Sequence, residues 1–350
     1  MLSEIILRVA GFEQKDSKYY PRPSLAGPER CTRQMVYWGL NFPKQKMTDR
    51  FIVVMEDSSW HEQLTLDLLR KSAFMIHSEQ MEISCPTPMT KGSIDAIFTD
   101  LFNTDYLLEH KALNHFSWER YWKTKEIPED YFTQLAIYLW GIKLVNPDIN
   151  KGILFIKNKN TSQYMEYLCE YDKDKDILKV LEMTDSMGKK QIPNTERKDI
   201  VKNAVDKFNL VQDYINKKTL PKRDYSLDNW RCQYCSYQNI CQESYEEEFK
   251  DLKDNIELSQ DIEERLAYYL ELKTHLLEMK KEQDGIKDEV KAILLQHNAK
   301  QAKTERYIID LALIKSERVD KDKIPPDILS QVLTSSLSER LNIKLRKEKK

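Results

Sequence analysis

Apolar positions along this chain recur at two rhythms, and each change of rhythm marks an element. Leu64, Leu68, Leu69 and Met75 follow helical spacing and predict a helix over residues 61–79. The next three runs, 81–85, 93–99 and 106–113, alternate with a period near two, as strands do when successive side chains face opposite sides. Turn-forming residues at Thr90-Lys-Gly92 and Asn103-Thr-Asp105 predict that these strands are antiparallel neighbours. Helical spacing returns over 129–145, strands follow over 152–157, 164–171 and 177–183, and a further helix is predicted over about 194–217. Nearer the start, a turn-rich run from Tyr20 to Glu29 leads into a predicted helix over 30–40. Helices around a mixed sheet make an α/β or α+β domain.

The pattern changes after residue 241. Residues 243–261 are acidic and poor in turn formers, and 262–296 form a long amphipathic helical stretch rich in Glu and Lys. A strand is predicted over 306–314, Pro325-Pro326 opens a short helix, and the chain closes on Lys344-Leu-Arg-Lys-Glu-Lys-Lys350. We place a boundary near residue 250, with a main domain over 1–250 and a mainly helical extension with a short β element over 251–350.

Composition narrows the class. With 350 residues, 41% hydrophobic and 32% charged, the chain is globular and long enough for a large core. Lys plus Arg (55) nearly balances Asp plus Glu (57), so any basic surface for a nucleic acid has to be local. The opening Met-Leu-Ser-Glu-Ile-Ile-Leu-Arg has a Glu inside its short apolar run and does not read as a signal peptide, nor does any stretch approach the apolar length of a membrane span. A soluble cytoplasmic protein without a membrane partner is the expectation.

The candidate chemistry lies on the predicted strands. In Gly92-Ser-Ile-Asp95 and Glu109-His-Lys111, a period of two puts Glu109 and Lys111 on one face and His110 on the other. With Asp95 on the preceding strand, two carboxylates can meet at a hard divalent cation such as Mg2+ or Mn2+ beside an ammonium, and the backbone carbonyl of His110 can add an oxygen. Phosphodiester hydrolysis needs that set: a cation that polarises the phosphoryl oxygen and acidifies a bound water, and a positive group that orients the water and offsets developing charge. A Glu-x-Lys pair on a strand is also a common surface ion pair. Gln134 and Tyr138, spaced i, i+4 on the following helix, can reach a phosphate or fix Lys111. His61, within Ser58-Ser-Trp-His-Glu62, can serve as an imidazole ligand or touch the scissile phosphate.

Four cysteines frame these residues: Cys31, then Cys232, Cys235 and Cys241. A Cys-x-x-Cys pair points two thiolates at one metal, Cys241 can reach the same point, and Cys31 as fourth ligand would staple the two ends of the domain together. Sulfur-only ligation suits zinc or an iron-sulfur cluster, and spacing does not choose between them. Cys85 and Cys169 fit no ligand spacing and read as semi-buried thiols.

In that order, His61, Gly-Ser-Ile-Asp95, Glu-His-Lys111 and Gln-Leu-Ala-Ile-Tyr138, flanked by Cys31 and Cys-x-x-Cys-x5-Cys241, the chain resembles the RecB-like branch of the PD-(D/E)xK nucleases. Within it, the likeness is to members whose four cysteines hold a [4Fe-4S] cluster, such as the CRISPR-associated adaptation exonucleases. It covers roughly residues 20–245. It implies a restriction-endonuclease-like α/β fold, Asp95, Glu109 and His61 as metal ligands, Lys111 as the catalytic lysine, Gln134 with Tyr138 as substrate-positioning residues, and an iron-sulfur cluster rather than zinc. The family usually has an apolar residue where His110 stands. The tail, with Tyr307-Ile-Ile-Asp-Leu-Ala and Ser338-Glu-Arg-Leu-Asn-Ile-Lys, is similar to the C-terminal part of YqaJ-type phage recombination exonucleases.

The resemblance implies a metal-dependent DNA exonuclease serving recombination, repair or replication of a phage or mobile element, in a bacterial or phage-infected cell. A recombinase, single-strand-binding protein or helicase would be a fitting partner, and a homo-oligomer is compatible. The alternatives are a structure-selective endonuclease on the same scaffold, or a non-catalytic DNA-binding or assembly subunit.

Overall fold

The computed structural model describes residues 2–12, 18–46, 48–72, 74–84, 91–193, 195–250, 257 and 259–313. The chain divides into two compact units, Met1–Cys241 and Gln242–Lys350. The first opens with helix α1 (Leu2–Phe12), a 3-10 turn at Pro23–Leu25, α2 (Thr32–Gly39) and α3 (Asp49–Arg70). Five strands follow: β1 (Met75–His77), β2 (Glu82–Ser84), β3 (Lys91–Ser93), β4 (Ala96–Thr99) and β5 (Asp105–Leu113). Helices α4 (His115–Thr124) and α5 (Glu129–Ile142) lead to the meander β6 (Lys151–Asn158), β7 (Tyr164–Asp172) and β8 (Ile177–Asp185). The short strands β9 (Lys190–Gln191) and β10 (Thr195–Lys198) precede α6 (Ile200–Lys217), α7 (Trp230–Gln233) and α8 (Gln238–Lys250), whose last residues belong to the second unit.

The main sheet runs β1-β4-β5-β6-β7-β8-β10, with β9 also paired to β8. Only β5 and β6 are parallel among these pairs, and α4 and α5 supply the crossover that a parallel neighbour requires. The sheet is mixed and flanked by helices, as the sequence pattern predicts. Helix α5 is buried nearly all round because Phe132, Leu135, Ala136 and Leu139 pack beneath Leu107, Leu154 and Ile156. On the opposite face, Leu66 of α3 packs with Ala96, Phe98 and Leu108.

Several boundaries differ from the sequence expectations for local reasons. Helix α3 starts twelve residues earlier than expected, at Asp49 behind a Thr48 side-chain cap, because its first half buries no apolar stripe that a periodicity could reveal. Its predicted end is too late: Met75 and Ile76 are instead strand residues paired with Thr99 and Phe98. Gly92 is no turn residue but lies in β3 opposite Ile83, where a Cβ would sit 2.8 Å from the Tyr138 ring and 2.9 Å from Pro23. The glycine there permits close approach, not a bend. Helix α4, unforeseen, is capped by Asn114 and buries Trp118 and Tyr121. The predicted 194–217 helix is divided between β10 and α6. Cys169 is fully buried, its thiol pushed up to about 12 by burial. Cys85 lies outside the described residues.

The second unit contains α9 (Gln260–Gln296) and a hairpin of β11 (Gln301–Lys303) and β12 (Ile308–Asp310). The expected helix at Pro325-Pro326 and the lysine-rich terminus lie outside the described residues. Among the described residues, no helix is long and apolar enough to cross a membrane.

Candidate active site

Strand β5 places the site's central pair. Its alternation turns Glu109 and Lys111 towards α5, and the parallel pairing with β6 buries that part of the strand. Lys111 Nζ lies 2.5 Å from Glu109 Oε1. The same ammonium donates to Gln134 Oε1 at 2.9 Å, and Gln134 Nε2 donates to the Tyr138 hydroxyl at 3.4 Å. The i, i+4 spacing on α5 thus builds a relay that ends on the lysine. Pairing of Ala96 with Leu108 brings Asp95 to the next rung, where its Oδ2 accepts the backbone N–H of His110 at 2.6 Å. Asp95, Glu109, Lys111, Gln134 and Tyr138 therefore form one connected group.

The electrostatics of this group are those of crowded, buried acids. Asp95 is held well above the usual carboxylate range by burial, then by the charges of Glu109 and Glu62, against the His110 N–H and Lys111. Burial raises Glu109 while Lys111 pulls it back. For Lys111, burial disfavours the ammonium, but the charge and hydrogen bond of Glu109 outweigh it and its pKa rises. Glu109 is 1% exposed, and its Oε2 has no hydrogen-bond partner among the described residues. A buried carboxylate oxygen without a partner carries a desolvation cost that a cation would offset.

Glu62 is the site residue the sequence pattern missed. It sits on α3, accepts from Gln80 Nε2 at 2.9 Å, and is raised by burial and then by Glu109. A third acid near the pair was hidden because its neighbour His61 drew the functional reading; the helical phase of α3 relative to the sheet would have been needed to choose between them. His61 does not join the acids. Its electrostatic neighbours are Lys157, Asp57 and Lys159, its Nε2 lies 3.8 Å from Asp57, and its buried Nδ1 has no partner among the described residues. The His110 ring is on that same side, bonded through Nε2 to the Thr65 hydroxyl at 3.1 Å and stacked on Phe155. Burial, then Lys157, lowers its pKa to about 3, so it is a neutral packing residue. It takes the apolar slot of the strand by hiding its polarity against Thr65.

A cleft of about 680 Å3 approaches the group through Tyr131 and is not itself lined by Asp95, Glu109, Lys111, Gln134 or Tyr138. Tyr131 lines it and its ring centre also lies 5.3 Å from Lys111 Nζ. Arg30, Arg120, Arg231, Tyr225 and Trp230 line it together with Glu29, Glu126 and Asp130, Arg30 pairing with Asp130 at 3.1 Å and Arg231 with Glu29 while lying over the Tyr225 and Trp230 rings. Cys31, Cys232 and Cys235 line the same cleft. Cys31 caps α2, its Sγ accepting the Gln34 N–H at 3.4 Å, and burial pushes its thiol up to about 12. Cys31 and Cys235 are within electrostatic reach of each other, as are Cys235 and Cys241, while Tyr225 feels both Cys31 and Cys232. The fold therefore gathers thiols from both ends of the first unit. Among the described residues, no three His, Cys, Asp or Glu side chains are drawn into a metal-ligand cluster.

No protein-family model matches the chain, and no curated protein does. Among solved structures, the chain is similar to SSO0001, with 18% identity and a TM-score of 0.39 over 69% of this chain and 96% of that one. It is also similar to an alkaline exonuclease, LHK-Exo of Laribacter hongkongensis, with 12% identity and a TM-score of 0.34 over 62% of this chain and 95% of that one. That exonuclease has also been solved in complex with dAMP.

Proposed function

We propose that this chain is a divalent-metal-dependent DNA exonuclease. The observation that carries the reading is the meeting of the half-buried Asp95 and Lys111 with the buried Glu109, whose Oε2 lacks any hydrogen-bond partner among the described residues. Asp95, Glu109 and the carbonyl of His110 would hold Mg2+ or Mn2+, a donor set of hard oxygens that leaves positions for water. The cation would supply Lewis acidity at the phosphoryl oxygen and a more acidic water.

The chain's own groups do the rest. Lys111, held on one side by Glu109 and on the other by Gln134, presents a fixed positive charge to the scissile phosphate and orients the attacking water. Tyr138 holds Gln134, and so acts through it. In the cleft, Arg120 would meet a backbone phosphate, whereas Arg30 and Arg231 would first have to leave Asp130 and Glu29, and release of Arg231 would also free the Tyr225 and Trp230 rings for bases. In the same reading, Cys31, Cys232, Cys235 and Cys241 would hold a [4Fe-4S] cluster, zinc being the less favoured occupant, and it would serve to close the first unit. His61 serves as an added ligand only if its ring leaves Asp57.

The test is digestion of linear and closed circular DNA with Mg2+ or Mn2+. An exonuclease degrades the linear form and spares the circle; cleavage of the circle would make the chain an endonuclease, and inertness towards both a binding or assembly subunit. A brown preparation that loses its colour in Cys235→Ser supports the cluster, and a colourless protein with one zinc per chain rejects it.

A further inference from the structure

Helix α9 bears a seam that its own unit leaves uncovered among the described residues. Tyr269, Leu276, Gln283 and Val290 stand seven residues apart, and Leu272, Met279, Ile286 and Ile293 repeat the interval three residues later. These are the a and d positions of four successive heptads, a run long enough to specify a coiled coil. Leu276 and Met279 are each 66% exposed, and Leu294 is the one residue of α9 that is buried. A helix of 37 residues draws most of its stability from packing an apolar face, and among the described residues that face is open.

We propose that α9 forms a parallel, two-stranded coiled coil with a second copy of this chain along the Tyr269–Ile293 seam. The flanking charges select this occupant. Positions e hold Lys273, Lys280, Lys287 and Leu294, and positions g hold Tyr268, His275, Glu282 and Glu289. In a parallel pair the g residue of one heptad faces the e residue of the next, so Glu282 meets the partner's Lys287 on both sides of the dimer. An antiparallel pair sets Lys against Lys and Glu against Glu. Among the described residues of its own chain Lys287 pairs with Asp284, at 3.5 Å on the exposed surface, a contact weak enough to yield. Gln283, the single polar residue of the seam, meets its own counterpart only when two identical chains lie in register, and such a residue fixes alignment and strand number at some cost in stability. A seam of this length spans about 36 Å at 1.5 Å per residue. Dimerisation would put two copies of the first unit on one DNA molecule, which raises their effective concentration there.

Sedimentation equilibrium of the full chain tests this. The wild type should be a dimer. Ile286→Glu, which sets two carboxylates face to face within the seam, should raise the dissociation constant about a hundredfold or more. Leu277→Glu, at an equally exposed position outside the seam, should leave it unchanged. Glu282→Lys should weaken the dimer about threefold to tenfold, and adding Lys287→Glu should restore it. A monomer, an assembly larger than two, a dimer indifferent to Ile286→Glu, or one tightened by Glu282→Lys would each overturn the proposal. DNA degradation by the monomeric variant remains expected, so failure of the dimer and failure of the nuclease reading are separable.

Discussion

Asp95 accepts the backbone N–H of His110 through a 2.6 Å hydrogen bond, which ties the first acid of the group to the strand that bears the second. Because β5 alternates its side chains, holding the peptide of His110 also sets the orientation of Glu109 and Lys111 on either side of it. Glu109 and Lys111 are placed by one strand, and Asp95, in the bend before β4, is tied to that strand by this side-chain contact. Rigid placement of this kind suits a site that acts by positioning and electrostatics.

On the proposed function, Gln134 would position Lys111. Gln134→Ala removes the 2.9 Å acceptor and should lower the cleavage rate by about tenfold to a hundredfold, the range for loss of a supporting contact, with DNA affinity little changed. Tyr138→Phe, which loses only the weaker 3.4 Å bond, should have a smaller effect. Single-turnover rates and binding measured side by side check the order; a Gln134→Ala defect confined to affinity would place the residue on the substrate instead.

The raised carboxyl of Asp95 sets a pH dependence of stability. A carboxyl whose pKa is higher in the folded chain holds a proton there that the unfolded chain has released, so its penalty is absent in acid and grows as pH rises above the ordinary value of about 4. Asp95→Asn keeps an oxygen acceptor for the His110 N–H and removes the charge. Urea unfolding should show the variant more stable than wild type at neutral pH, with the difference closing towards pH 4. Mn2+ should stabilise the wild type alone. Equal stability across that range would mean that Asp95 is not strained by its neighbours.

Much of this arrangement was legible in the sequence because its causes are local. Strand alternation separated Glu109 and Lys111 from His110, and the i, i+4 interval paired Gln134 with Tyr138. The phase of α3 against the sheet was not legible, so His61 was favoured over Glu62, which is the residue that influences Asp95. The cleft wall was hidden for the same reason: Arg120, Tyr131 and Trp230 come from separate helices whose convergence no short pattern encodes. Gly92 read as a turn because glycine marks both bends and close contacts, and only the neighbouring Tyr138 ring decides between them.

Gly92 therefore couples packing to the site. Gly92→Val places methyl groups where the Tyr138 ring and Pro23 already lie within 3 Å of a Cβ, so thermal unfolding should show a loss of about 1–3 kcal/mol. Displacement of Tyr138 should also loosen Gln134 and reduce cleavage. Unchanged stability would show that β3 and α5 can separate freely.

The central claim is that Asp95, Glu109 and Lys111 cut DNA with a divalent cation. Its most direct test is digestion of duplexes labelled separately at each end, with Mg2+, Mn2+ or EDTA, by the wild type and by correctly folded Lys111→Ala and Asp95→Ala. Label should be released by the wild type only when a cation is present, and each variant should be slower by about a thousandfold, the scale of losing one charge-stabilising group in a preorganised site. Cleavage in EDTA, or either variant cutting at the wild-type rate, would contradict it.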